Sequence, residues 1–352
     1  MAKVEGVFAN LNPIRIAGAT DFGSIFTEKL SEAEQVVMCT GYVAAESLVE
    51  LLELLKSFSN VRKFDLIVGM AKFDGLTRDQ LFGLEKLEEF LTNRDLGRVH
   101  IATAVPVHAK VTSFVGGRQS ILLGSSNLGS LTRATRQYEV DLIIQDDAYL
   151  FDQVDEFLAK ALSASKFFVE IKDELKVVSA SPHPLENLAG VSKIPIVTSH
   201  LEFESNLEFE IPIGVGEKSN LNTFFGKGRK SINNRVVPRP WYEVELIVPK
   251  RITEIPGYPV KDVNDGEFTV ITDDGFEFKC RTSGDYSKNL RSKADLETLG
   301  RWLKGRLERS GSLEMGEMVT YATLEKYGRK SLGLKKIKGE DKWFLDFGVQ
   351  VD

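Results

Sequence analysis

Along the first half of the chain, short apolar runs alternate with stretches in which leucine returns every third or fourth residue. Residues 35–43, QVVMCTGYV, are continuously apolar enough for a buried strand, and residues 44–58, AAESLVELLELLKSF, carry the spacing of an amphipathic helix. Residues 63–70, KFDLIVGM, repeat the strand signal. Residues 77–93, TRDQLFGLEKLEEFLTN, repeat the helical one behind a threonine N-cap. Four short β-rich segments follow, RVHIATA, HAKVTSFV, SILLGSS and YEVDLIIQ, and a helix over residues 147–165 closes this half. The alternation predicts a layered α/β domain over residues 1–180.

The pattern lapses over residues 181–200, where proline, serine and glycine gather, and a linker is expected there. Residues 201–352 read as mainly β. WYEVELIVP, EFTVITDDGFEFKCRT with an Asp-Asp-Gly turn, and KWFLDFGV are the strand signals, and one clear helix lies at 295–310. Such a pattern suggests a barrel-like module.

Composition adds exclusions. No apolar run reaches the roughly 18–20 residues of a membrane span, and the first residues lack the layout of a signal peptide. The two cysteines, Cys39 and Cys280, are isolated, which speaks for a reducing compartment and against a disulfide framework or a zinc site. A cytoplasmic location is expected. The net charge of −6 at first disfavours nucleic acid, but it is unevenly placed. Residues 1–180 hold 19 Lys and Arg against 25 Asp and Glu, whereas residues 218–352 hold 25 against 20. The second half is the candidate for polyanion binding.

Candidate chemistry gathers between residues 106 and 144, PVHAKVTSFVGGRQSILLGSSNLGSLTRATRQYEVDLII. On a strand, His108 and Lys110 share a face because the side-chain period is two. Gly124–Asn127, GSSN, offers a tight turn that a substrate can approach, with Asn127 as an amide donor. Ser125 and Ser126 either support a phosphate or simply form that turn. Glu139 lies in an apolar run, where a carboxylate is costly unless paired, and an imidazole would suit it. A nucleophile, a cation, a neutral donor and an orienting carboxylate together suit phosphoryl transfer without a metal. His100 and His183 have no such company and are read as structural.

His-x-Lys followed by Gly-Ser-x-Asn on adjacent strands resembles the phospholipase D superfamily. The resemblance implies His108 as nucleophile, Lys110 and Asn127 as phosphate ligands, and Glu139 as the residue that hydrogen-bonds the histidine. Where the usual motif has an aspartate five residues after the lysine, this chain has Val115, and the distance to Gly-Ser is two residues longer. These departures fit the restriction-endonuclease branch. Along its whole length the chain is similar to metal-independent type II restriction enzymes of the BfiI and NgoFVII kind. Those join a phospholipase-D-like nuclease domain to a C-terminal DNA-recognition pseudobarrel of the plant-transcription-factor type. The resemblance implies double-stranded DNA as substrate, no cofactor or metal, and a cognate DNA methyltransferase in the same restriction-modification system. Whether an accessory NTP-dependent subunit is required stays open.

Two basic loops would do the reading, GKGRKSINNRVVPRPWYE (226–243) and KCRTSGDYSKNLRSK (279–293). Arginine reads guanine edges and asparagine reads adenine, while lysine mainly meets phosphate. The candidate DNA-binding residues are Arg229, Lys230, Asn233, Asn234, Arg235, Arg281, Tyr286, Lys288, Asn289 and Arg291; the bland alternative is two solvated loops. The run GRKSLGLKKIKGEDK (328–342) is expected to meet backbone or nothing. Only one His-x-Lys exists, whereas the superfamily's chemistry uses two histidines, so a homodimer through the N-terminal domain is expected. The rival readings are a non-specific phosphodiesterase, which needs no basic reader, and a DNA-binding regulator with a vestigial nuclease domain, which needs no intact constellation.

Overall fold

The computed structural model describes residues 3–8, 16–132, 137–179, 183–186, 188–195, 201–216, 220–230 and 236–349. The chain divides into two compact units, one of Met1–Ser181 with Lys230–Val237, the other of Pro182–Arg229 with Pro238–Asp352.

The elements of the first unit, in chain order, are β1 (Lys3–Phe8), α1 (Phe22–Leu30), β2 (Ala33–Thr40), α2 (Ala45–Ser57), β3 (Lys63–Val68), α3 (Ala71–Asp74) and α4 (Arg78–Asn93). Then come β4 (Val99–Ala102), β5 (Val111–Gly116), β6 (Ser120–Gly124), β7 (Val140–Gln145), α5 (Ala148–Ser163), β8 (Ser165–Phe167) and α6 (Phe168–Ile171). Eight strands form one mixed sheet in the order β1-β7-β6-β5-β2-β3-β4-β8. β2, β3 and β4 run parallel, and the pairs β2–β5, β5–β6 and β6–β7 are antiparallel. The C-terminal ends of β2, β3, β4 and β6 therefore share one sheet edge with the N-terminal ends of β5 and β7.

Both sheet faces are apolar because helices cover both. α1, α2 and α4 bring Phe26, Leu48, Leu51, Leu84 and Leu87 onto one face against Met38, Phe64, Leu66 and Phe114. α5 brings Phe151, Leu158 and Ala161 onto the other, against Cys39, Ile67, Val111 and Ile121. β3, in the middle, is buried at five of its six positions, as a strand covered on both faces must be. α4 starts where the threonine predicted. The Gln80 N–H donates to Thr77 Oγ1 at 3.3 Å and the Thr77 N–H to Gln80 Oε1 at 2.8 Å, a reciprocal cap of two otherwise orphaned donors.

In the second unit β9 (Ser192–Lys193) falls in the segment expected as a linker and pairs with a later strand. β10 (Phe203–Pro212) follows. β11 (Arg229–Lys230) and β12 (Val236–Val237) form a separate two-stranded ribbon, which apart from Arg229 belongs to the first unit. Beyond it lie β13 (Leu246–Ile247), α7 (Lys250–Thr253), β14 (Glu267–Thr272), β15 (Phe276–Ser283), β16 (Asn289–Ser292), α8 (Thr298–Arg309), α9 (Tyr321–Tyr327), β17 (Ser331–Ile337) and β18 (Lys342–Asp346). The curled sheet has the order β10-β17-β18-β14-β15-β16-β13, with β9 on β15. α8 places Leu299, Trp302, Leu303 and Leu307 in its core, and the Asp295 carboxylate caps the helix by accepting the N–H of Thr298 at 2.7 Å.

One reading of this unit needs correction. WYEVELIVP is not one strand: only Leu246–Ile247 joins the sheet, because Trp241 and Tyr242 turn inward, their ring N–H and hydroxyl donating to Glu308 at 2.8 Å each. The run GRKSLGLKKIKGEDK contains β17, whose Leu332, Leu334 and Ile337 are buried. β10, within the acidic stretch before the first basic loop, was not anticipated. It pairs with β17, and Glu208 lies 3.6 Å from Lys335.

Candidate active site and reader face

The ladder of β5 begins at Val111, so His108 and Lys110 stand just before it, outside the strand. The alternation still holds: Val107 and Ala109 pack on the α5 side, and His108 and Lys110 project to the other. Lys110 Nζ lies 3.1 Å from Nδ1 and 3.0 Å from Nε2 of His108, and donates to the His108 carbonyl at 2.8 Å. Burial lowers the pKa of Lys110, opposed by the negative field of Glu139. Cys39 itself is buried beneath this edge, its thiol pushed up to about 12 by burial against the counteracting charge of Lys110.

Asn127 joins the pair from the end of β6. Its Oδ1 accepts the Tyr42 N–H at 3.0 Å and lies 3.3 Å from the Thr40 hydroxyl. With the carbonyl end so engaged, the amide N–H₂ is the end left for a ligand. Thr40 is fully buried, accepts the N–H of Leu128 at 3.1 Å and donates to the Tyr42 carbonyl at 2.9 Å. One hydroxyl thus fixes the end of β2 and the start of the turn after Asn127. Between them lies Gly41, where a Cβ would stand 3.0 Å from His108 Cδ2, 3.3 Å from Asn127 Oδ1 and 3.4 Å from Lys110 Nζ. The Tyr42 ring meets His108 edge-on, centroids 5.6 Å apart, and its hydroxyl donates to Asp74 at 2.7 Å.

The serines of GSSN face β7. Ser125 Oγ accepts the Val140 N–H at 3.0 Å, and Ser126 donates its N–H at 3.0 Å and its hydroxyl at 2.5 Å to Asp141. The costly buried carboxylate of this segment is therefore Asp141 rather than Glu139. Burial raises the Asp141 pKa and the two Ser126 bonds lower it. Glu139 is half-buried, one residue ahead of β7, and reaches Lys110 through its field rather than through a hydrogen bond to His108. Thr40, Gly41, Tyr42 and Asp141 were not singled out from the sequence. The visible signal was the Thr-Gly-Tyr run at the end of an otherwise apolar strand.

His100 and His183 each hold a carboxylate, Asp65 and Asp274, at 3.2 Å. Among the described residues, no group of three or more His, Cys, Asp and Glu is placed to hold a metal ion, and no helix is long and apolar enough to cross a membrane.

In the second unit, Arg281, Asn289 and Arg291 come together. β15 buries alternate residues and turns Lys279, Arg281 and Ser283 outward, and β16 sets Arg291 directly opposite Arg281 and Asn289 opposite Ser283. Like charges paired across a ladder repel, and Arg281 is partly answered by Asp265, whose carboxylate lies 3.9 Å away. Tyr286 and Lys288 occupy the connection between the two strands. Arg229 is tied instead to the buried carboxylate of Glu243 at 2.5 Å, which Arg239 also meets at 2.6 Å. Lys230 is exposed, and Asn233, Asn234 and Arg235 lie outside the described residues.

Against family models, residues 21–174 match the N-terminal phospholipase-D domain of the NgoFVII restriction endonuclease, and residues 199–338 match the NgoFVII C-terminal B3-like DNA-binding domain. No curated protein matches. Among solved structures, the chain is similar to Nuc, a phospholipase D family member from Salmonella typhimurium, at 15% identity over 47% of this chain and 98% of that one, with a TM-score of 0.34. NucT from Helicobacter pylori is similar at 14% identity over 48% and 100%, with a TM-score of 0.34. With a phospholipase-D-like nuclease domain followed by a B3-like DNA-binding domain, and with both domain models of one enzyme matched in order along it, this chain belongs to the NgoFVII family of restriction endonucleases.

Proposed function

We propose that the protein is a site-specific double-strand DNA endonuclease that works without a metal, through a covalent phosphohistidine on His108. The observation that carries this is the position of Lys110 Nζ, 3.0–3.1 Å from both ring nitrogens of His108, beside an Asn127 amide whose donors are left for a ligand. A phosphodiester seated there would place its non-bridging oxygens against an ammonium and an amide, donors fixed in advance of the charge they stabilise. An imidazole nitrogen forms the P–N bond as the bridging P–O bond breaks, and the leaving oxygen takes a proton. Water then attacks phosphorus, the P–N bond breaks, and the histidine is restored. The donor set of this site, a lysine and an amide rather than clustered carboxylates, suits such a route.

The acid for the leaving oxygen is the His108 of a second copy of the chain. Supporting this, the sheet edge around the site is ringed by exposed Tyr42, Phe73, Val105, Tyr138 and Val140, an apolar rim fit for a like surface. Residues 1–180 form the nuclease and dimerising part and residues 201–352 the reader. The Lys279, Arg281 and Arg291 face would lie on DNA, and a methyltransferase of the same specificity would protect the host. Cleavage of plasmid DNA by the purified protein in EDTA tests the chemistry. Undiminished, sequence-specific ends are expected; activity lost on chelation and restored by magnesium would overturn the metal-free mechanism.

A further inference from the structure

The end of the β15–β16 hairpin is built at a conformational cost. Of the seven non-glycine residues with positive φ among those described, four lie in two turns at this end of the sheet: Asn264 and Asp265 ahead of β14, and Tyr286 and Ser287 between β15 and β16. Asparagine and aspartate tolerate the left-handed region, but tyrosine, here at φ 57°, does so rarely. The two turns are locked together. The Lys261 N–H donates to Ser287 Oγ at 2.9 Å, and Arg281 Nε donates to the Asp265 carbonyl at 3.0 Å. The strained backbone does not bury its aromatic side chain. Tyr286 is 61% exposed, with Lys250 Nζ 4.2 Å from its ring centroid. A non-glycine residue persists in such a conformation only where its surroundings over-determine it, and such positions gather at functional sites.

The charges flanking Tyr286 say which part of a duplex it faces. Asp265 and Asp285, with side chains 84% exposed, sit in the same two turns, each 3.9 Å from a cation, Arg281 and Lys288 respectively. Carboxylates there oppose approach to phosphates but suit base edges, where cytosine and adenine amino groups donate. Lys250 and Lys288 stand at the tip itself, and Lys279, Arg281 and Arg291 lie farther back along the hairpin, on its outward face. We propose that this tip is a rigid aromatic probe: Tyr286 enters the groove of the duplex held by the B3-like unit and wedges against one base step, while the arginine pair behind it meets the backbone. Wedges of this kind unstack a step in exchange for contact. The proposal rests on the reading of this unit as the one that binds DNA.

The test uses the full-length protein and a synthetic duplex carrying the site found by mapping its cleavage ends, with 2-aminopurine placed in turn at each position. Fluorescence is followed by stopped flow within the first turnover. Wild type and Tyr286→Phe are expected to brighten the probe at one step. Tyr286→Gly, whose backbone is at ease at positive φ, should melt no lower than wild type yet lose the brightening and bind the site about tenfold or more weakly. A Tyr286→Gly protein that binds as wild type does, or a probe that stays dark at every position, overturns the proposal alone. A wild type that binds no duplex DNA overturns the reading beneath it as well.

Discussion

At the scale of single residues, the candidate chemistry depends on what Lys110 feels. Its ammonium is pulled in two directions, burial lowering its pKa and the carboxylate of Glu139 supporting it. In the proposed mechanism the site needs the cation, so cleavage should fall on the alkaline side as the proton leaves, and earlier than for a fully solvated lysine. Glu139→Gln removes the supporting field and leaves the desolvation, which lowers the Lys110 pKa further. The alkaline limb of the single-turnover rate against pH should therefore move to lower pH in this variant. A limb that does not move would place the action of Glu139 elsewhere than on Lys110. His108, Lys110 and Asn127 were legible in the sequence because an i, i+2 pair and a Gly-Ser turn carry their geometry with them. Thr40, Gly41 and Tyr42 were not, since their roles exist only once the end of β2 meets a turn more than eighty residues away.

At the scale of elements, the turn after β6 shows how a local motif is held by a strand it does not belong to. Ser125 and Ser126 look in sequence like phosphate donors, yet both are fastened to the start of β7, Ser125 to the backbone of Val140 and Ser126 to Asp141. Asp141 is buried, and Gly124 passes so close that a Cβ would stand 2.4 Å from its Oδ1. Ser126→Ala leaves a buried carboxylate oxygen without its hydroxyl donor, at a cost of about 1–3 kcal/mol. A lower melting temperature is expected, with single-turnover cleavage of the remaining folded protein near that of wild type. Wild-type stability with a large loss of rate would instead return Ser126 to the phosphate. The helices with leucine spacing and the central strands were readable because one period dominates each. In the second unit the periods mislead. β17 hides its buried Leu332 and Leu334 among lysines, and the alternation of WYEVELIVP is broken by two aromatic side chains drawn to Glu308. Tertiary partners, which no window of sequence contains, settle both.

At the scale of the whole molecule, the unresolved need is a proton. Attack on phosphorus expels an oxygen that a positioned acid serves typically 10²–10⁴-fold better than solvent does. Within one chain the described neighbours of His108 offer little. Tyr42 gives its hydroxyl to Asp74, which raises its pKa, and burial raises that of Cys39. In the proposed mechanism Lys110 is needed as the charged ligand of the phosphate. In the proposed dimer, a second His108 across a two-fold axis would supply both the missing acid and a cover for the apolar rim. One shared site would then attack one phosphodiester at a time, so both strands would be cut in sequence and a nicked circle should precede the linear product on a supercoiled plasmid. Dimers assembled from one wild-type chain and one His108→Ala chain should retain far less than half of the activity, because the surviving imidazole has lost its acid or its nucleophile. Half-activity in such mixed dimers, with linear product appearing without a nicked precursor, would mean that each chain carries a complete site, and the acid would then have to be sought within the chain.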